Sequence, residues 1–139
     1  MKPSISVITL GVDDLEKAVA FYRDGLGFPT EGIVGQDIEH GAVAFFDLQN
    51  SLKLALWKRE DIAFETGIEQ GPPNPTEFTM GHNVGSIEEV DRVMQQARVA
   101  GATIVDTAHH TAWGGYSGHF QDLDGHVWEA VWNPAFAID

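Results

Sequence analysis

Apolar residues recur along this chain in two rhythms, one of period two and one near 3.6, and the alternation between them divides the sequence into elements. Ile5 to Leu10 is a β-branched, apolar run that predicts a strand. Leu15, Ala18, Val19 and Tyr22 then fall at i, i+3, i+4 and i+7, one stripe of an amphipathic helix. Asp13 or Asp14 is placed to cap it, Glu16 stands in a capping-box relation to Asp13, and Gly25-Leu26-Gly27 ends it. The polar segment Glu31 to Gly41 predicts a weak strand. Ala42 to Leu48 and Leu52 to Trp57 predict a strand pair turning at Gln49-Asn50-Ser51. Phe78 to Val84 is the next strand. Ser86 and Glu89 form a capping box before the stripe Ile87, Val90, Met94 and Ala97, Gly101 closes that helix, and Thr103 to Thr107 predicts another strand.

The stretch Trp113 to Pro134 carries the strongest pattern. Tyr116 to Gln121 is aromatic-rich and partly alternating, Asp122-Leu123-Asp124-Gly125 supplies turn residues, and His126 to Trp132 alternates again. Successive strand side chains point to opposite faces, so His126, Trp128, Ala130 and Trp132 share one face and Val127, Glu129 and Val131 the other. A carboxylate between two valines is unusual, because burying an unpartnered charge is costly. Glu129 therefore either meets water or lines a cavity. Counting back across a hairpin turning at Leu123-Asp124, His119 falls on the face of Glu129, with Ser117 beyond it.

Between the two strand-and-helix runs, Lys58 to Glu77 holds Gly67, Gly71, Pro72, Pro73 and Pro75 and predicts an irregular connector. The halves on either side follow one plan of strand, capped helix, weak strand and strong hairpin. At an offset of 74, Phe45 answers His119 (119 − 45) and Ala55 answers Glu129 (129 − 55). A βαβββ unit is too small to close a core alone, so two copies are expected to combine. The prediction is one α+β domain over residues 1–139. It consists of modules 4–58 and 77–133 joined by the Gly/Pro-rich connector 59–76, whose curved mixed sheet surrounds a pocket.

Composition narrows the partners. The formal charge of −13, from 21 acidic against 8 basic residues, disfavours nucleic acid and anionic membranes. Cysteine is absent, which excludes disulfides and thiolate chemistry and fits a cytoplasmic location. The short apolar run near the N-terminus matches neither a secretory signal nor a membrane span. No Walker loop, GxGxxG, HExxH or GxSxG sequence occurs, so nucleotide-dependent and serine-hydrolase chemistry has no support.

The duplicated plan, with VDDLEKAVAFYRDGLGF in the first half and HFQDLDGHVWEAVWNP in the second, resembles the vicinal oxygen chelate superfamily. That group includes glyoxalase I, bleomycin-resistance proteins, fosfomycin-resistance transferases and extradiol dioxygenases. The resemblance implies a glyoxalase-like fold and a homodimer. Metal-using members place a ligand on the first and last strand of each half, positions that correspond here to Val7, Ala55, Thr79 and Glu129. Glu129 is the one competent ligand among them, so the usual divalent metal is not expected and no other cofactor is predicted.

The expected function is metal-independent binding of a small organic molecule, of the glyoxalase/bleomycin-resistance type. Phe45, Trp57, Trp113, Tyr116 and Ser117 are predicted as lining and Lys53 as rim. The alternatives are an enzyme (lyase, isomerase or dioxygenase) using Glu129 with His119 as an acid–base pair, metal-free or with metal ligands outside the usual positions, and a closed scaffold without ligand. Among the other histidines, His82 is expected in the core, His109 and His110 in a loop, and His40 and His126 in surface turns. Gly114 and Gly115 permit a bend or bulge beside the pocket.

Overall fold

The computed structural model describes residues 1–136 and is α+β, with two four-stranded mixed sheets. The chain divides into two compact units, Met1–Pro72 and Pro73–Asp139. The first contains β1 (Val7–Val12), α1 (Leu15–Ala20), β2 (Thr30–Val34), β3 (Val43–Asp47), β4 (Lys53–Lys58) and α2 (Arg59–Thr66). The second contains β5 (Thr79–Asn83), α3 (Ile87–Ala100), β6 (Thr103–His110), β7 (Tyr116–Gln121) and β8 (Val127–Trp132). The strand orders are β1-β4-β3-β2 and β5-β8-β7-β6, so each unit is built alike. In each, the first strand runs parallel to the last and the remaining pairs are antiparallel.

In the first unit one sheet face presents Leu10, Val12, Ala44, Phe46, Leu54 and Leu56, all buried, to Leu15, Ala18 and Val19 of α1. Asp14 caps that helix by accepting from the Lys17 amide at 3.1 Å. Of the two aspartates placed to cap it, Asp14 holds the N-cap position, and Asp13 takes Arg59 at 2.7 Å. Phe21–Gly25 then loosens into a π-helical turn, and Tyr22 packs against Phe28 and Phe46 with ring centroids 5.8 and 5.9 Å away.

The connector expected from residue 59 opens instead with α2. Gly67, at φ +73°, terminates that helix with its left-handed conformation, so the glycine and prolines mark its end and not its beginning. Charge hid the helix, since Arg59, Glu60, Asp61 and Glu65 interrupt any apolar stripe. Its anchors are tertiary: Arg59 to Asp13, and the buried Asp61 to His40 Nδ1 at 2.6 Å. His40 is consequently half-buried and not a free surface turn. Its ring stacks on Phe64 at 3.9 Å and its backbone carbonyl accepts from Trp57 Nε1 at 2.9 Å.

In the second unit α3 buries Val90, Met94 and Ala97 over Phe120, Trp128 and Ala130, with the Phe120 and Trp128 rings stacked at 6.3 Å. Ser86 caps it as expected, accepting from the Glu89 amide at 3.2 Å, while the Glu89 carboxylate reaches back to the Gly85 amide at 3.2 Å. The β7–β8 turn is built on the buried Asp122, which accepts from the amides of Asp124 and His126 (both 2.9 Å) and from His126 Nδ1 at 2.7 Å. His126 is thus a turn residue as expected, but half-buried and pinned. His82 departs from its expected core position: β5 is an edge strand, and the side chain is exposed near its end. Crowding by the protein nevertheless pushes its imidazole down, with Glu89 opposing.

Candidate functional site

The β7–β8 register sets His119 directly opposite Glu129 and Ser117 opposite Val131, on the face away from α3. The first unit repeats this pairing with Phe45 opposite Ala55, 74 residues earlier in each case. His119 Nε2 lies 3.6 Å from Glu129 Oε2, beyond a direct hydrogen bond and within reach of one shifted rotamer or a shared ligand atom. Across β8, the residue facing Glu129 is Gly81, which has no side chain; a Cβ there would stand 3.7 Å from Asn83 Oδ1, an ordinary contact.

On its other side His119 meets a residue that sequence reasoning passed over. Its Nδ1 is 2.8 Å from Asp106 Oδ2. An ionised carboxylate only accepts, so Nδ1 carries a hydrogen, and Nε2 is the ring nitrogen turned toward Glu129. Asp106 also faces His109, whose Nε2 lies 3.1 Å from Oδ1 while its Nδ1 donates to the His110 carbonyl at 3.0 Å. The hydrogen bond from His119, helped by the charge of His109, holds the Asp106 carboxyl below the usual range. The His110 carbonyl and then Asp106 push His109 up. The side chains of Asp106, His119 and Glu129 are 38, 29 and 30% exposed, so a solute reaches all three.

His109 therefore contributes stability that is complete below its ordinary value of about 6.5 and is lost as pH rises through the raised value. His109→Gln is expected to remove that part of the fall in thermal midpoint above about pH 6.5. Identical midpoint profiles for the two proteins would refute the pairing.

The other expected lining residues separate. Phe45 is 41% exposed and lines a cavity of about 500 Å³ within the first unit, together with Pro29, Thr30, Glu31, Gly32, Val34, Asp47 and Lys53. Lys53, expected at a rim, is ion-paired there with Asp47. Trp57 shares the Phe45 face by alternation, yet its indole is committed to the His40 carbonyl and is not among the cavity's lining residues. Tyr116 does not join His119 and Glu129. It alternates onto the opposite face, where its hydroxyl donates to Asp91 of α3 at 2.8 Å. Ser117 is buried opposite Val131. Trp113 is exposed in the turn before β7, its ring lying over Gly115, where an added Cβ would come within 2.2 Å of it. His109 and His110, expected in a loop, end β6, because that strand continues past Thr107.

A sequence model of the Glyoxalase/Bleomycin resistance protein/Dioxygenase superfamily matches residues 4–130. The chain belongs to this superfamily. Among solved structures, a glyoxalase-related enzyme from Fulvimarina pelagi is similar at 30% identity and a TM-score of 0.84, over 99% of this chain and 93% of that one. Two others share the fold. Lactoylglutathione lyase from Agrobacterium tumefaciens matches at 21% identity and TM-score 0.68, over 100% of both chains. The genomically encoded fosfomycin resistance protein FosX from Listeria monocytogenes matches at 22% and 0.70, over 97% of both.

Set against the superfamily's metal positions, this chain's residues do not fit a divalent cation. Val7 and Ala55 carry no donor atom, Thr79 offers a weakly donating hydroxyl, and Glu129 alone is a carboxylate. Among the described residues, no three His, Asp or Glu side chains are grouped to share an ion. Also among the described residues, no helix is long and apolar enough to cross a membrane.

Proposed function

We propose that this superfamily member binds a small organic molecule in the cavity beside Phe45, without a metal ion at the four usual positions. The cavity itself carries the reading. Its volume of about 500 Å³ lies within the roughly 300–1,000 Å³ typical of ligand sites, and Phe45, Val34 and Pro29 give it an apolar wall. Its charged groups are Glu31, Asp47 and Lys53, a balance that favours an aromatic or cationic molecule over an anion. The fold neighbours named for fosfomycin resistance and as a lactoylglutathione lyase support small organic compounds as the class. A cavity of this size argues against a closed scaffold.

A thermal-shift screen of metabolites and antibiotics tests the proposal. A ligand present at 100 times its dissociation constant stabilises the fold by about 2.7 kcal/mol. Phe45→Ala is expected to abolish the shift produced by any hit. A hit whose shift survives that change refutes the site.

A second reading is favoured by the orientation of His119. With Nδ1 committed to Asp106, Nε2 is free to take a proton from a bound substrate and return it elsewhere, beside a carboxylate able to share the task. That geometry suits a lyase or isomerase working by proton transfer.

A further inference from the structure

The register of β6 contains two slips, and they explain how an acid–base group assembles on this face. Thr103 pairs with Gln121 and Ile104 with Phe120. Continued regularly, that register would set Val105 opposite His119 and Thr107 opposite Ser117. Instead Asp106 faces His119 and His109 faces Ser117, because the strand gains one residue before Asp106 and another before His109. Directly opposed residues of an antiparallel pair share a face. Each slip therefore exchanges a non-ionisable side chain for an ionisable one on the side of His119 and Glu129. Bulges of this kind re-aim side chains and cluster at functional sites.

Gly118 makes room for the irregular strand. A Cβ there would stand 3.0 Å from both the Asp106 carbonyl oxygen and the Ala108 amide nitrogen.

We propose that Asp106, delivered by the first slip, is the positioning residue that holds His119 in its Nδ1–H form, with His109 steadying the far oxygen of the same carboxylate. An unrestrained histidine favours the opposite tautomer, which would turn Nε2–H toward Glu129 and remove the basic lone pair from the open side of the face. Asp106 reverses that preference through the 2.8 Å bond, and the 3.1 Å contact from His109 keeps its other oxygen occupied. The catalytic significance of this role rests on the proton-transfer reading of His119; the tautomer itself does not.

The test is a ¹⁵N–¹H correlation spectrum of the imidazole rings in the ligand-free protein at a pH where His119 is neutral, with His119→Gln identifying its signals. The expected pattern is a pyrrole-like shift at Nδ1 and a pyridine-like shift at Nε2. Asp106→Asn is expected to lose this pattern, because its amide group can donate to Nδ1 and stabilise the other tautomer. Wild-type protein showing the Nε2–H form overturns the inference, whether or not the variant folds. So does a folded Asp106→Asn protein that keeps the wild-type pattern. If the tautomer is as expected but His119→Gln leaves turnover unchanged, the proton-transfer reading fails while the positioning role stands.

Discussion

His119→Gln is expected to lower the turnover of any substrate this chain converts by about 10²–10⁴-fold, the usual contribution of a positioned general acid or base. The side chain is about 29% exposed and lies on the face away from α3, so its replacement removes a proton carrier without opening the core. Steady-state measurements should show the loss in kcat, with KM changing far less, because Gln keeps polar contact but accepts no proton. Glu129→Gln is expected to act on the same step. Since the two groups stand 3.6 Å apart, the double variant should lose less than the sum of the single losses. Unchanged kcat in His119→Gln would leave ligand binding beside Phe45 as the surviving function.

Phe46→Ala is expected to lower the unfolding free energy by about 3–5 kcal/mol. Phe46 is fully buried on β3, where Tyr22 and Phe28 flank its ring with centroids 5.9 and 6.4 Å away. The change leaves a void between α1 and the sheet that neighbouring side chains on rigid strands cannot collapse to fill. Urea denaturation should record it as a lower midpoint at an unchanged slope. A loss below about 1 kcal/mol would mean that the first unit's core is not packed around this ring. Phe45, one residue earlier, points the other way and carries little of this burden. Comparing Phe45→Ala with Phe46→Ala therefore separates ligand contact from core packing at adjacent positions.

Local rules reached much of this protein. The strand period places His119 and Glu129 on one face, and Asp122 to Gly125 supplies a turn of the right length, so their pairing follows from the hairpin alone. Ser86 and Glu89 announce α3 because a helix must satisfy its first amides close by. The repeat offset of 74 survives as two matching cross-strand pairs, since each unit solves the same burial problem with the same strand order.

Other features depend on partners distant in sequence. The helix α2 lacks a clear apolar stripe and is anchored by Asp13 and His40, which lie 46 and 21 residues from their partners. Tyr116 was expected with Ser117, a neighbour that alternation sends to the opposite face, and the Asp91 carboxylate on α3 confirms where it points. Asp106 was unreadable as a site residue for a related reason. Alternation along an unbroken β6 would turn it away from His119, and only the pairing between strands reveals the added residue.

The sequence by itself determined the two βαβββ units, their caps and turns, and the His119–Glu129 face, because each depends on periodicity or on groups a few residues apart. The tertiary structure alone decided that Asp106 and His109 join that face, that His40 rests on a buried carboxylate, and that Phe45 borders a cavity while Trp57 is held elsewhere. Those outcomes are set by strand register and by contacts between elements, where one inserted residue reverses every side chain that follows it.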